Sequence, residues 1–171
     1  EVDFDFQETG SAIGQRQVAS KAADIGFSDI GILAANKSYP LLEIPFVQTP
    51  IAVIAHKDCG LRGLSSAQLK SILQGETSNW KEIGGNEQPI TFVGRTDFSG
   101  TMKVLEDWLG TEAAPQRQVL AASNARARDL VAKSPGALSV VSNVPVNKDI
   151  QVLALDHAFP YKVDLKKGRY P

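Results

Sequence analysis

Arg95-Thr96-Asp97-Phe98-Ser99-Gly100-Thr101 sets two hydroxyls and a glycine where a helix is expected to begin. A helix start leaves backbone N–H groups without intrahelical partners and carries the positive end of the macrodipole, so it attracts anions. Ser99 and Thr101 each offer a hydroxyl hydrogen there, Gly100 lets the backbone come close, and Arg95 presents a planar fork suited to two oxyanion oxygens. Asp97 stands where it could orient Arg95. The same residues equally suit a structural role, with Ser99 as a helix cap and Arg95 as a solvated loop cation. Thr9-Gly10-Ser11-Ala12-Ile13-Gly14 is a second junction of small residues and a hydroxyl ahead of a helix, hence a second candidate anion cradle. It has neither the glycine spacing of a dinucleotide fingerprint nor the Gly-Lys-Ser/Thr ending of a P-loop, so nucleotide binding is not supported. In Asp24-Ile25-Gly26-Phe27-Ser28-Asp29 a carboxylate follows a short strand and falls near the same strand ends, or simply begins a turn.

The elements that would hold these residues alternate between strand and helix. Val2 to Phe6 alternates apolar and polar residues as a half-buried strand does, Ile13 to Ala23 has helical periodicity, and Ile25 to Phe27 reads as a short strand. The apolar run Ile51-Ala52-Val53-Ile54-Ala55 predicts a central strand covered on both faces. Ser65 to Gln68 is a capping start for a helix through Leu73 that ends at Gly75. A strand over Ile90–Val93 is followed by a loop and a helix over Gly100–Leu109 closed by Gly110, then a helix over Ala125–Lys133 and strands over Ala137–Val141 and Asp149–Leu155. This alternation predicts an α/β architecture with mixed, mostly parallel sheets and ligands at the carboxyl ends of strands.

Composition narrows the chemistry. With 18 Lys+Arg against 19 Asp+Glu in 171 residues the net charge is -1, too little positive field to hold nucleic acid nonspecifically. No apolar run reaches the ~18 residues of a membrane span. One cysteine, Cys59, and two separated histidines, His56 and His157, give poor material for a disulfide or metal centre; Cys59 is expected to be a structural or incidental thiol and both histidines to be surface or hinge residues. Trp80 and Trp108 are expected to pack, and Lys162, Lys166, Lys167 and Arg169 to form a solvated tail or to face a membrane partner or acidic surface. The opening residues are read as showing no pattern of a secretory leader, which leaves the compartment open.

Together, four stretches resemble the periplasmic phosphate-binding proteins, the substrate-binding subunits of phosphate ABC transporters. Thr9–Gly14 looks like the family's glycine-serine turn and Ala23–Asp29 like its "DIG-x-SD" strand. Leu64 through Gly75 to Asn79-Trp80-Lys81-Glu82-Ile83-Gly84-Gly85 is similar to its "N-W-x-E-x-G-G" stretch, and Arg95–Thr101 to its "R-x-D-x-SGT" anion loop. Order and spacing agree from about residue 1 to residue 156, and Lys167–Pro171 resembles a tail turn of the family.

The resemblance implies a two-lobed periplasmic-binding-protein-like fold, with residues 1–54 and 142–171 in one lobe, 55–141 in the other, and hinges near 51–55 and 137–141. It implies that Ser11, Asp29, Arg95, Ser99, Gly100 and Thr101 surround a phosphate between the lobes, with Gly10 and Asp97 behind them. An ionised carboxylate has no proton to give, so Asp29 would pair only with an oxyanion that still carries hydrogen and would repel sulfate. In a dry cleft an unmet acceptor costs a few kcal/mol, enough for ~100-fold discrimination. The implied role is binding without catalysis, cofactor or metal, by a monomer in the periplasm or at the cell surface that hands inorganic phosphate to a permease.

Family members place a strand and a serine- or threonine-bearing loop ahead of the segment matching Val2–Phe6, and this chain is read as starting after that loop. Leu138-Ser139-Val140-Val141 also replaces the glycine-tyrosine or serine-tyrosine pattern of the returning hinge strand. Two other readings stand beside phosphate uptake: a phosphate-sensing domain of a larger protein, and a phosphoester hydrolase using Arg95, Ser99 and Asp29.

Overall fold

The apolar run at residue 51 forms strand β1 (Ile51–His56), from which a six-stranded sheet extends in both directions. The computed structural model describes residues 3–7, 9–96, 99–142 and 148–171. The remaining strands are β2 (Gly63–Leu64), β3 (Thr91–Arg95), β4 (Gln118–Ala121), β5 (Ala137–Ser142) and β6 (Ile150–Leu155), in the spatial order β2-β6-β1-β5-β3-β4. β1 pairs antiparallel with β5 and β6, whereas β2–β6, β3–β4 and β3–β5 are parallel, so the sheet is mixed and mostly parallel as expected. β6, read from sequence as part of the first lobe, belongs to this sheet.

Helices cover both faces. Val53, Ala55, Phe92, Leu138, Val140 and Leu153 pack with Leu69, Ile72 and Leu73 of α2 (Ser66–Leu73) and Met102, Leu105 and Leu109 of α3 (Gly100–Leu109). Ile54, Val93 and Val141, pointing the other way, pack with Ala127 and Val131 of α4 (Asn124–Lys133). The two-residue alternation of a strand therefore divides β1 between two cores. The two helix starts expected from serine are capped by it, Ser65 closing a full capping box with Gln68 and Ser99 accepting from the Met102 amide, and at α4 Ser123, not singled out in the sequence, accepts from the Arg126 amide. Gly110 ends α3 at φ 63, a left-handed position that glycine adopts without Cβ strain. A short α5 spans Lys162–Lys166.

The segment before β1 departs from expectation. Residues 3–7 and 25–27 form no strand, and Phe4, Phe6, Ile25 and Phe27 are exposed. An alternating pattern becomes a strand only where a neighbouring strand accepts its backbone and a core accepts its apolar side, and the sheet offers neither to these residues. The helix expected to Ala23 ends earlier, as α1 (Ser11–Ala19), because Lys21 takes φ 61 while Ala22 N–H bonds Gln17. Elsewhere Trp80 packs at full burial, but Trp108 is 44% exposed, being on the outer side of α3. His56, expected at the surface or in a hinge, is buried at the end of β1, with Nδ1 accepting from the Asp58 amide. Cys59 is buried too, and desolvation pushes its thiol pKa up.

Candidate functional site

Since β3, β4 and β5 run parallel, their last residues, Arg95, Ala121 and Ser142, gather at one edge with the first residues of α3 and α4. Carboxyl ends of parallel strands are where α/β sheets bind ligands. Against this edge stands the start of α1, whose position is set by one buried amide. Gln15 Nε2 donates to Ser28 Oγ at 3.0 Å and to Gly31 O at 3.0 Å, while its Oε1 accepts from Leu33 N at 2.8 Å and Asn36 Nδ2 at 3.3 Å. Gln15 thereby clamps residues 28–36 to α1 and carries Asp29 to Ser11, four residues before it on the same helix face. Gly14 and Gly26 permit the approach: a Cβ at Gly26 would lie 2.9 Å from Gly14 O.

The two helix starts meet. A Cβ built on Gly100 would stand 2.3 Å from Ser11 Oγ and 3.2 Å from Asp29 Cβ, so only glycine fits there. Ser11 Oγ accepts from Asp29 N at 3.0 Å, which leaves its own hydrogen to donate. Thr101 Oγ1 lies 3.4 Å from Asp29 Oδ2 and 3.5 Å from Ser142 Oγ. Ser11, Ser99 and Thr101 are all buried, whereas Asp29 is solvent-exposed rather than enclosed in a dry crevice. Gly10 stands at the cap position of α1 with no side chain to cap it, so the first-turn amides of α1 receive no side-chain acceptor from that position. The reverse holds at α3, where Ser99 caps Met102 N.

Arg95 sits slightly apart. Its Nε donates to Ala121 O at 3.1 Å, Nη2 to Ala122 O at 3.3 Å and Nη1 to Asn124 Oδ1 at 2.5 Å, so it is gripped by the β4–α4 turn and is not a solvated loop cation. Asp97, expected behind Arg95, lies outside the described residues. Of the expected residues, Ser11, Asp29, Gly100 and Thr101 are in mutual contact, Ser99 adjoins them as cap, and Arg95 reaches them through other side chains. Gln15, Asn124 and Ser142 are not foreseen by the sequence reading. Gln15 is four residues from Ser11, Asn124 follows a serine cap, and Ser142 is the polar end of an apolar strand, weak signals without the fold. Together the hydroxyls, the α1 amides and one arginine donate, and one carboxylate accepts, as a partly protonated oxyanion requires. Among the described residues, no three His, Cys, Asp or Glu side chains gather as metal donors, and no helix is long and apolar enough to cross a membrane.

Residues 1–157 match the family model described as PBP superfamily domain. The chain is similar to the phosphate-binding protein PstS of Bacillus subtilis (strain 168), at 30% identity over 176 residues, covering 100% of this chain and 58% of that protein. It is 23% identical over 181 residues to PstS of Borreliella burgdorferi, covering 99% of this chain and 64% of that one. Among solved structures, a putative phosphate ABC transporter substrate-binding protein with bound phosphate from Clostridium perfringens superposes with a TM-score of 0.88 at 26% identity, over 94% of this chain and 67% of that one. An ABC-type phosphate transport receptor from Vibrio cholerae, at 22% identity and a TM-score of 0.69 over 95% of this chain and 68% of that one, shares the fold. The chain thus spans 58% and 64% of the length of the two curated relatives.

Proposed function

The chain belongs to the PBP superfamily, and on that premise we propose that it binds inorganic phosphate as part of the substrate-binding component of a phosphate ABC transporter. One observation carries the reading: the starts of α1 and α3, 89 positions apart, meet at Gly100, and Asp29 touches both, its N–H donating to Ser11 Oγ at 3.0 Å and its Oδ2 lying 3.4 Å from Thr101 Oγ1. Amide-rich helix ends and hydroxyls supply the donors a small oxyanion needs. A carboxylate in that setting is costly for any anion without a proton and favourable for one that has a proton to share. Phosphate near neutral pH is such an anion, and sulfate is not.

The relatives support this ligand and this transport role, since they are phosphate-binding proteins and one holds bound phosphate. The reading extends to a two-lobed molecule in which residues before β1 form one wall and the sheet, with β6 counted in it, the other. Closure around the ligand would remove water from Asp29 and strengthen its discrimination, because charges interact more strongly as the surrounding dielectric falls. A periplasmic or cell-surface location, delivery to a permease, the monomeric state and binding without turnover complete the proposal.

Calorimetric titration with phosphate and with sulfate tests it. Phosphate is expected to bind and sulfate to bind far more weakly. A folded protein that takes up neither, or both equally, refutes the reading. In Asp29→Asn the neutral amide no longer repels an unprotonated oxygen, so the preference for phosphate is expected to fall.

A further inference from the structure

Arg95 and Asp29, the two charges of the site, are joined by two uncharged side chains. Arg95 Nη1 donates to Asn124 Oδ1 at 2.5 Å, Asn124 Nδ2 donates to Ser142 Oγ at 2.9 Å, and Ser142 Oγ stands 3.5 Å from Asp29 Oδ2. The direction of each link follows from its chemistry. A guanidinium has donors only, so the oxygen of the Asn124 amide must face Arg95 and the NH2 must face Ser142. Ser142 therefore accepts from Asn124, and its one proton is left for an acceptor. The Asp29 carboxylate is that acceptor, and Thr101 Oγ1 approaches the same oxygen at 3.4 Å. Among the described residues Asp29 Oδ1 takes part in no such bond.

We propose that Asn124 and Ser142 are positioning residues of the oxyanion site, tying Arg95 to Asp29 and keeping Asp29 Oδ2 occupied so that Oδ1 is the acceptor for the ligand's proton. The inference rests on the phosphate-binding reading above. A carboxylate held by one oxygen cannot turn aside from an unprotonated anion, so the penalty against such an anion persists. Released, the same carboxylate rotates toward water and the penalty shrinks. Ser142 thus acts on selectivity through Asp29, and Asn124 sets both the Arg95 fork and the direction of the Ser142 proton.

The test compares the full chain with Ser142→Ala, Ser142→Thr and Asn124→Asp, each titrated with inorganic phosphate and with sulfate and melted thermally. Ser142→Ala is expected to bind phosphate about tenfold more weakly and to lower the phosphate-to-sulfate affinity ratio about fivefold, at an unchanged melting temperature. Ser142→Thr keeps the hydroxyl and is expected to stay within about twofold of the parent. Asn124→Asp still accepts from Arg95 but offers Ser142 an acceptor, drawing its proton from Asp29, and is expected to lower the ratio as Ser142→Ala does. A purely structural role would weaken both anions alike and leave the ratio unmoved. An unchanged ratio in Ser142→Ala, with phosphate still bound by the parent, overturns this inference alone. Absence of phosphate binding in the parent overturns the preceding reading together with it.

Discussion

Gly100→Ala probes the meeting of the two helix starts directly. The added methyl would lie 2.3 Å from Ser11 Oγ, 3.0 Å from Ser11 Cβ and 3.2 Å from Asp29 Cβ. Ordinary van der Waals contact needs about 3.5 Å, so Ser11 must retreat by roughly 1 Å. Ser11 is not free to do so alone, because its hydroxyl holds Asp29 N and its backbone begins α1. Either that hydrogen bond breaks or α1 moves off α3, and overpacking of this kind costs about 1–3 kcal/mol. If the cost falls on the bound geometry, affinity for phosphate drops roughly 5- to 150-fold at 1.4 kcal/mol per decade. The helix itself does not suffer, since alanine is a better helix former than glycine by up to about 1 kcal/mol. Calorimetry and urea denaturation of the same sample should therefore diverge, with weakened binding and undiminished stability of the sheet and its helices. Phosphate affinity within about twofold of the parent would refute the argument that this contact builds the site.

Two further outcomes test the fold. Trp80 is fully buried and its Nε1–H donates to Gly136 O at 3.0 Å, so Trp80→Ala should cost about 3–5 kcal/mol in urea unfolding, through a cavity and an orphaned carbonyl; a loss under about 1 kcal/mol would contradict the packing described. Asp156 is held below the usual carboxylate range, first by the Ser66 hydroxyl and then by the Ser66 amide. A lowered folded-state pKa gives stability that is complete above the unfolded value near about 4 and is lost as pH falls through the folded value. Asp156→Asn should therefore flatten the acid side of the stability profile in that window, and parallel acid melts of the two proteins would speak against it.

The residues of α3 and α2 were legible almost to the residue, because serine caps, left-handed glycines and apolar periodicity are local signals. So were β1, β5 and β6, whose apolar runs have no stable place but a covered sheet. The short β2 and β4 escaped notice: β2 has two residues, and β4 begins Gln118-Val119-Leu120 with all three exposed, so no buried face marks it. Phe4, Phe6, Ile25 and Phe27 misled for the opposite reason, since alternation states a capacity to pair and not the presence of a partner.

What the sequence determined was an inventory of chemistry: one carboxylate, one arginine, hydroxyls and glycines at helix starts, and the local elements that carry them. What only the tertiary structure decided was adjacency. Gly100 against Ser11, Gln15 clamping the loop that bears Asp29, and the Arg95–Asn124–Ser142–Asp29 chain all join residues distant along the polypeptide or borne by different elements. Such contacts depend on how helices and strands pack, and a hydrogen bond worth only about 1 kcal/mol net leaves no periodicity in the sequence by which to foresee it.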